Sequence, residues 1–231
     1  MKVAILLNGF IRNSINEYNL YKSLFFNHLD CDIFMFIWDI KGMKTGKHKE
    51  NRFTKDNFDV NTVKKIFKPL RLKVENINEF RNKYKTHPFI KHKKKLLFAD
   101  MIGQFYGMNQ AYQLMCEYEI ENNIKYDYVV RIRLDLKRVF GNKTHHKSYH
   151  EIYNNIINGN IKQLTNREYF NYHDFIFASN RQIASKFYTN LMNIYDKKFV
   201  QEVILQHIGR KSFKQDTWMI FLFSYIIRLS L

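Results

Sequence analysis

Proline, glycine and cysteine are all scarce in this 231-residue chain, which has 2 Pro, 8 Gly and 2 Cys. That is too little for a collagen-like repeat, a low-complexity segment or a long flexible linker. The cysteines, Cys31 and Cys116, are distant in sequence and show no metal-binding spacing. A disulfide framework is excluded, and a reducing, cytoplasmic setting is expected. Long apolar runs are missing too. The amino-terminal run, Val3 to Leu7, is too short for the core of a secretion signal. No segment reaches the ~20 apolar residues of a membrane span. The nearest is WMIFLFSYIIRLSL at 218–231, which contains Arg228. It reads as a core helix or strand pair, with a peripheral membrane contact as the alternative.

Acidic residues are outnumbered, 21 against 38 Lys and Arg, for a net charge of +17. Such a field favours anionic partners: nucleic acid, acidic head groups or phosphorylated small molecules. The densest cluster, KHKKK at 91–95, reads first as a solvated helix start. No DNA-binding motif is visible, nor a basic surface interleaved with aromatics, so no specific nucleic acid is expected. There is no G-x-G-x-x-G and no G-K-[ST], which removes the main support for a dinucleotide-binding or P-loop site.

What is present is apolar mass, 45% hydrophobic and 16% aromatic residues, enough for one globular domain over 1–231. KVAILLNG begins the chain as a strand, and NSINEYNLYKSLFFNHL follows with helical period, Asn13 or Ser14 being candidate caps. CDIFMFIW (31–38) is a near-continuous apolar run suited to a buried parallel strand. Residues 41–57 read as a loop, VNTVKKIF (60–67) as a short helix stopped by Pro69, and LRLKVEN (70–76) as a third strand. After a polar stretch at 81–95, Leu97, Met101, Phe105, Met108, Tyr112 and Met115 place one apolar stripe on a helix over about 94–122. On that helix Gly103 and Gly107 permit close packing. A strand at 126–134 completes an alternating order, which predicts an α/β fold with a mostly parallel sheet flanked by helices. The second half is less regular: a helix near 149–157, short strands near 161–165 and in YHDFIFAS (172–179), then helices over about 181–195 and 199–209.

The chemistry concentrates in YDYVVRIRLDL (126–136). Alternate residues of a strand share a face, so Val130, Ile132, Leu134 and Leu136 lie on one side and Arg131, Arg133 and Asp135 on the other. In open parallel sheets ligands bind at the carboxyl ends of the strands, where Asp135 falls. A carboxylate there can hold a hard divalent cation that bridges phosphate oxygens, and the arginines can pair with phosphate. The alternative is an internal ion pair that only holds the strand. The same edge receives Asn8, Gly9 and Arg12 after the first strand, and Asp39 after the second. Gly9 allows close backbone approach, and Arg12 suits phosphate. Asp30-Cys31-Asp32 forms a D-x-D at the opposite, amino end of its strand, where it reads as a strand-entry turn. Among Asp174, Glu202 and Asp216, Asp174 is the first candidate for a general base, with a simple turn or cap role as the alternative. His145, His146, His150, His173 and His207 do not make a metal set.

Taken in order, these pieces resemble GT-A-fold glycosyltransferase-like proteins of large DNA viruses and of bacterial surface-polysaccharide loci. The residues carrying the resemblance are ILLNGFIR, DIFMFIWD, GQFYGMNQAYQLMCEYE, YDYVVRIRLD, YHDFIFAS and QEVILQHIG. They cover most of the chain, and the R-x-R-x-D strand is the most specific of them. The resemblance implies a Rossmann-like GT-A sheet, with 1–136 as the nucleotide-binding half and 137–231 as the sugar and acceptor half. It implies transfer of a sugar from a nucleotide-diphosphate donor, of the UDP-sugar type, to a glycan or lipid-linked acceptor hydroxyl, with Mn or Mg as cofactor. By that likeness Asp135 holds the metal, Asn8, Gly9, Arg12, Asp39, Arg131 and Arg133 meet the nucleotide diphosphate, and Asp174 lies near the sugar or acceptor. The residue two before Asp135 is Arg133 rather than an acid, so the arginines offer a second way to neutralise the diphosphate. A basic protein that binds nucleic acid or anionic membrane without catalysis is the competing expectation.

Overall fold

The chain is described by a computed structural model that covers residues 1–43, 53–54, 58–84, 96–134, 169–172 and 176–192. Strand β1 (Val3–Gly9) is buried on both faces, as its uninterrupted apolar sequence requires. It pairs in parallel with β2 (Cys31–Trp38) on one side and with β6 (Tyr128–Arg133) on the other. Strand β5 (Arg71–Glu75) adds in parallel outside β2. Its five residues are all half-buried and alternate charged with apolar, which suits an outer strand. Beyond β6, strand β8 (Ile176–Asn180) runs antiparallel to it, and β7 (Tyr169–Tyr172) pairs antiparallel with β8. The order β5-β2-β1-β6-β8-β7 is a six-stranded, mostly parallel mixed sheet, and its strands come from both halves of the chain. Two two-residue strands, β3 (Gly42–Met43) and β4 (Phe53–Thr54), form a separate antiparallel pair inside the segment expected to be loop.

Helices cover both faces, so the class is α/β. One face carries α1 (Tyr18–Tyr21), the π-helical turn Lys22–Phe26 that continues it, and α2 (Val60–Phe67). Tyr21, Leu24, Phe25, Val63 and Phe67 pack there on Val3, Ile5, Leu7, Met35, Ile37, Val130 and Ile132. The other face carries α3 (Ile77–Tyr84), α4 (Leu96–Glu121) and α5 (Arg181–Met192) over Ala4, Leu6, Phe34, Phe36 and Trp38. In α4 the stripe residues Phe105, Met108, Tyr112 and Met115 are buried, as the periodicity requires.

Two segments depart from the sequence pattern. The expected first helix is short and widened. Residues 12–17 are turns, the Ser14 hydroxyl donates back to the Ile11 carbonyl, and no side chain caps α1. Bulky side chains at 18, 20, 21, 24, 25 and 26 all meet the same apolar cluster. A wider turn spreads them over the sheet as a regular helix would not. Helix α3 is not expected from the periodicity, although Asn76 announces it: its Oδ1 accepts from the Asn78 and Glu79 amides at 2.9 and 3.0 Å. Asn76 and Glu79 have the spacing of a capping box. Helix α2 does match, with Asp59 accepting from the Asn61 and Thr62 amides and Lys68 closing it at φ 46° before Pro69. The segments expected near 149–157, 161–165, 199–209 and 218–231, and KHKKK, lie outside the described residues. No helix among the described residues is long and apolar enough to cross a membrane.

The two helix glycines differ. A Cβ on Gly107 would sit 2.9 Å from Phe36 Cδ1 and 3.3 Å from Asn8 Nδ2, whereas one on Gly103 would make ordinary contacts at 3.4 Å with Phe80 and Trp38. Gly107→Ala is therefore expected to cost about 1–3 kcal/mol by overpacking. Gly103→Ala is expected to be neutral or to stabilise by up to about 1 kcal/mol through helix propensity. Urea unfolding of the two variants checks this, and equal losses would contradict it.

Candidate active site

In this sheet β1 is followed outward by β2 and β5 on one side, while the chain returns across it to place β6 on the other. The strand order reverses between β1 and β6, and in open α/β sheets such a switch point opens a crevice at the carboxyl ends. The residues that arrive there are Asn8 and Gly9 from β1, and Arg133 from β6, in register with Asn8. Trp38 and Asp39 end the neighbouring strand β2.

Gly9 has φ 119°, a conformation that side chains disfavour, and a Cβ there would meet nothing within 4 Å among the described residues. Three residues on, Arg12 has φ 43°, which is left-handed and uncommon for a long side chain. Its amide donates to the Lys41 carbonyl at 2.7 Å, which holds the turn after β1 against the turn after β2. The side chain is half-buried at the edge.

The charged face of β6 resolves into two depths. Arg131 is fully buried, with 0% exposure, under α4. Its Nε donates to Asn8 Oδ1 at 2.7 Å, and Asn8 Nδ2 donates to the Gln104 carbonyl of α4 at 3.3 Å. Asn8 is itself 1% exposed. A guanidinium cannot shed its charge, so burial demands such partners. Its charge also acts on Tyr188 of α5, where burial pushes the phenol up and Arg131 opposes the shift. Arg133, one pleat nearer the edge, is half-buried, and its backbone carbonyl accepts from the buried Tyr21 hydroxyl at 3.3 Å. Of the two arginines, Arg133 is the more exposed and Arg131 is internal. Both lie opposite the apolar face of Val130, Ile132 and Leu134, as expected.

Asp39 also reaches the carboxyl edge, but its carboxylate is engaged. Oδ2 accepts from Asn76 Nδ2 at 2.7 Å and Oδ1 from the Ile77 amide at 3.1 Å, tying the end of β2 to α3. Around it half-buried Phe10, Tyr84 and Tyr106 surround Trp38 and Phe80. Tyr106 donates to Glu75 Oε1 at 3.1 Å, and burial with that carboxylate pushes its phenol far up, so it stays protonated. Asp135 and Asp174 lie outside the described residues. Their described neighbours Leu134, Tyr172 and Ile176 belong to the carboxyl-edge end of β6, β7 and β8. Among the described residues no group of three or more His, Cys, Asp or Glu could hold a metal.

At the amino edge Asp32 accepts from the Tyr126 hydroxyl at 2.6 Å, with Lys2 3.6 Å away. The D-x-D is a strand-entry feature, as expected. That edge has a depression of about 620 Å3 lined by Lys125, Tyr126, Asp127, Asn180, Arg181 and Lys186. It is the wrong edge for the ligand of a parallel sheet, and its Arg181 is already taken by Glu119 and Tyr112. What sequence reasoning missed is Gly42, buried beneath the first turn, and the burial of Arg131.

No protein-family model, curated protein or solved structure matches the chain. The depth assignment has a direct check. Arg131→Met keeps the bulk but leaves Asn8 Oδ1 without its donor, and is expected to cost about 2–3 kcal/mol in urea unfolding. Arg133→Met at the edge is expected to stay within about 0.5 kcal/mol of the parent. Equal losses would contradict the separation.

Proposed function

We propose that this protein is a glycosyltransferase that moves a sugar from a nucleotide-diphosphate donor, of the UDP-sugar type, to a glycan or lipid-linked acceptor hydroxyl. The observation that carries the reading is that Gly9 and Arg133 end adjacent strands, β1 and β6, where the strand order reverses, with Arg12 three residues beyond Gly9 in the turn held against Lys41. An open glycine turn admits a phosphate, and two edge guanidiniums suit its charge. The resemblance in ILLNGFIR and YDYVVRIRLD, which specifies the GT-A variety of this α/β sheet, supplies the choice of donor.

Chemically, the leaving diphosphate needs its growing charge neutralised. Arg12 and Arg133 supply part of this. Asp135 is the residue that would hold Mn or Mg, which adds Lewis-acid stabilisation when bound. Asp174 accepts the proton of the attacking hydroxyl. Asn8 and Arg131 act from inside as supports for the edge rather than as ligand contacts. Asp39 acts by anchoring the neighbouring strand to α3.

UDP with Mn is expected to raise the melting temperature. At a hundredfold excess over Kd the stabilisation is about 2.7 kcal/mol, which is about 5–10 °C for a chain of this size. Asp135→Ala should abolish metal-dependent hydrolysis of the UDP-sugar with the protein still folded. Asp174→Asn should lower transfer more than donor binding. A protein that no nucleotide stabilises, but that heparin or DNA retains in a salt-dependent way, would instead support the net charge of +17 as a binding device for nucleic acid or anionic membrane.

A further inference from the structure

We infer that Gly42 is a positioning residue, through which the turn after β2 aims Arg12 at the anionic group of the ligand. The inference rests on the donor-binding reading above. Gly42 is buried, with φ 117°. A Cβ at this position would lie 2.6 Å from Phe10 Cβ and 3.1 Å from Arg12 Cγ. The first of these is an atom next to the backbone and cannot swing aside. The residue before it, Lys41, accepts the Arg12 amide at 2.7 Å. Phe10 in turn leans on Trp38, their ring centroids 6.5 Å apart at 43°.

Arg12 is therefore constrained by its amide, which donates to Lys41, and by the close approach of Gly42 to its stem and to Phe10. Its own left-handed φ of 43° is unfavourable in isolation and persists only where the surroundings over-determine it. The direction of the guanidinium stem is thus set thirty residues away in sequence, by a glycine that lies on no strand of the main sheet. The consequence is a site in which cation and open Gly9 backbone are aligned before the ligand arrives. Such preorganisation favours a compact dianion such as a nucleotide diphosphate over a flexible polyanion.

The test combines a ligand-free readout with a binding one. Amide hydrogen exchange should find the Arg12 N–H protected in the parent and exposed in Gly42→Ala. Calorimetric titration with UDP and Mn should show at least a tenfold weaker Kd for Gly42→Ala, with little change for Gly103→Ala. In a double-mutant cycle, Gly42→Ala should add almost nothing to the loss caused by Arg12→Ala. If Gly42→Ala does not fold, Phe10→Ala, which frees the ring without a clash, takes its place in the same cycle. Additive losses, or a Gly42→Ala protein that keeps Arg12 protection or parental affinity, would overturn the positioning role and leave the donor reading standing. A parent protein that UDP does not bind would overturn the donor reading, and the role of Gly42 with it.

Discussion

A buried guanidinium bonded to a buried amide organises this molecule. Arg131 and Asn8 stand on adjacent parallel strands, each almost entirely out of water, and are joined by a hydrogen bond from Arg131 Nε to Asn8 Oδ1. Asn8 then passes the constraint on by donating to a carbonyl of α4. That contact requires the helix to lie close, which Gly107 permits by having no side chain above Phe36 and Asn8. Strand pairing, helix depth and the exit direction of β1 are therefore coupled through this chain of polar contacts. Misplacing any of the three would strand a charge in the core.

The carboxyl edge inherits its shape from that arrangement. Because Arg131 is tied inward, Arg133 emerges one pleat later where the strand order reverses, opposite Asn8 and beside Gly9. Several described acids are engaged elsewhere. Asp39 anchors α3, while Glu75 holds Lys73 and Tyr106. At the far edge Asp32 and Glu119 bind Tyr126 and Arg181. The chain as a whole carries 38 basic against 21 acidic residues.

Much of this architecture is legible in the order of residues. Continuous apolar sequence marks β1 and β2 as central strands, and three- and four-residue spacing marks the core stripe of α4. The alternation in VVRIRL separates the faces of β6, and of the pair Gly103 and Gly107 the second marks close packing. The misses have local causes. Helix α3 is short and polar, so its period is weak, and only the Asn76 and Glu79 capping pattern announces it. The π-helical turn arises because six bulky residues compete for one sheet face, and a helical template cannot register that. Gly42 sits in an unremarkable Lys-Gly-Met, and its importance comes from Phe10 and Arg12, which only folding brings to it.

By itself the sequence determined which side chains share a face, which segments are strand or helix, and that an alternating order would yield an α/β sheet. These follow from the periods of two and 3.6 that the backbone imposes on any chain. Depth was decided by tertiary structure alone. Arg131 and Arg133 are indistinguishable as letters on one face of one strand, yet the first is fully buried while the second, the last residue of β6, is only half-buried. Whether a charged side chain supports a site or serves it depends on what packs above it, and periodicity carries no record of that.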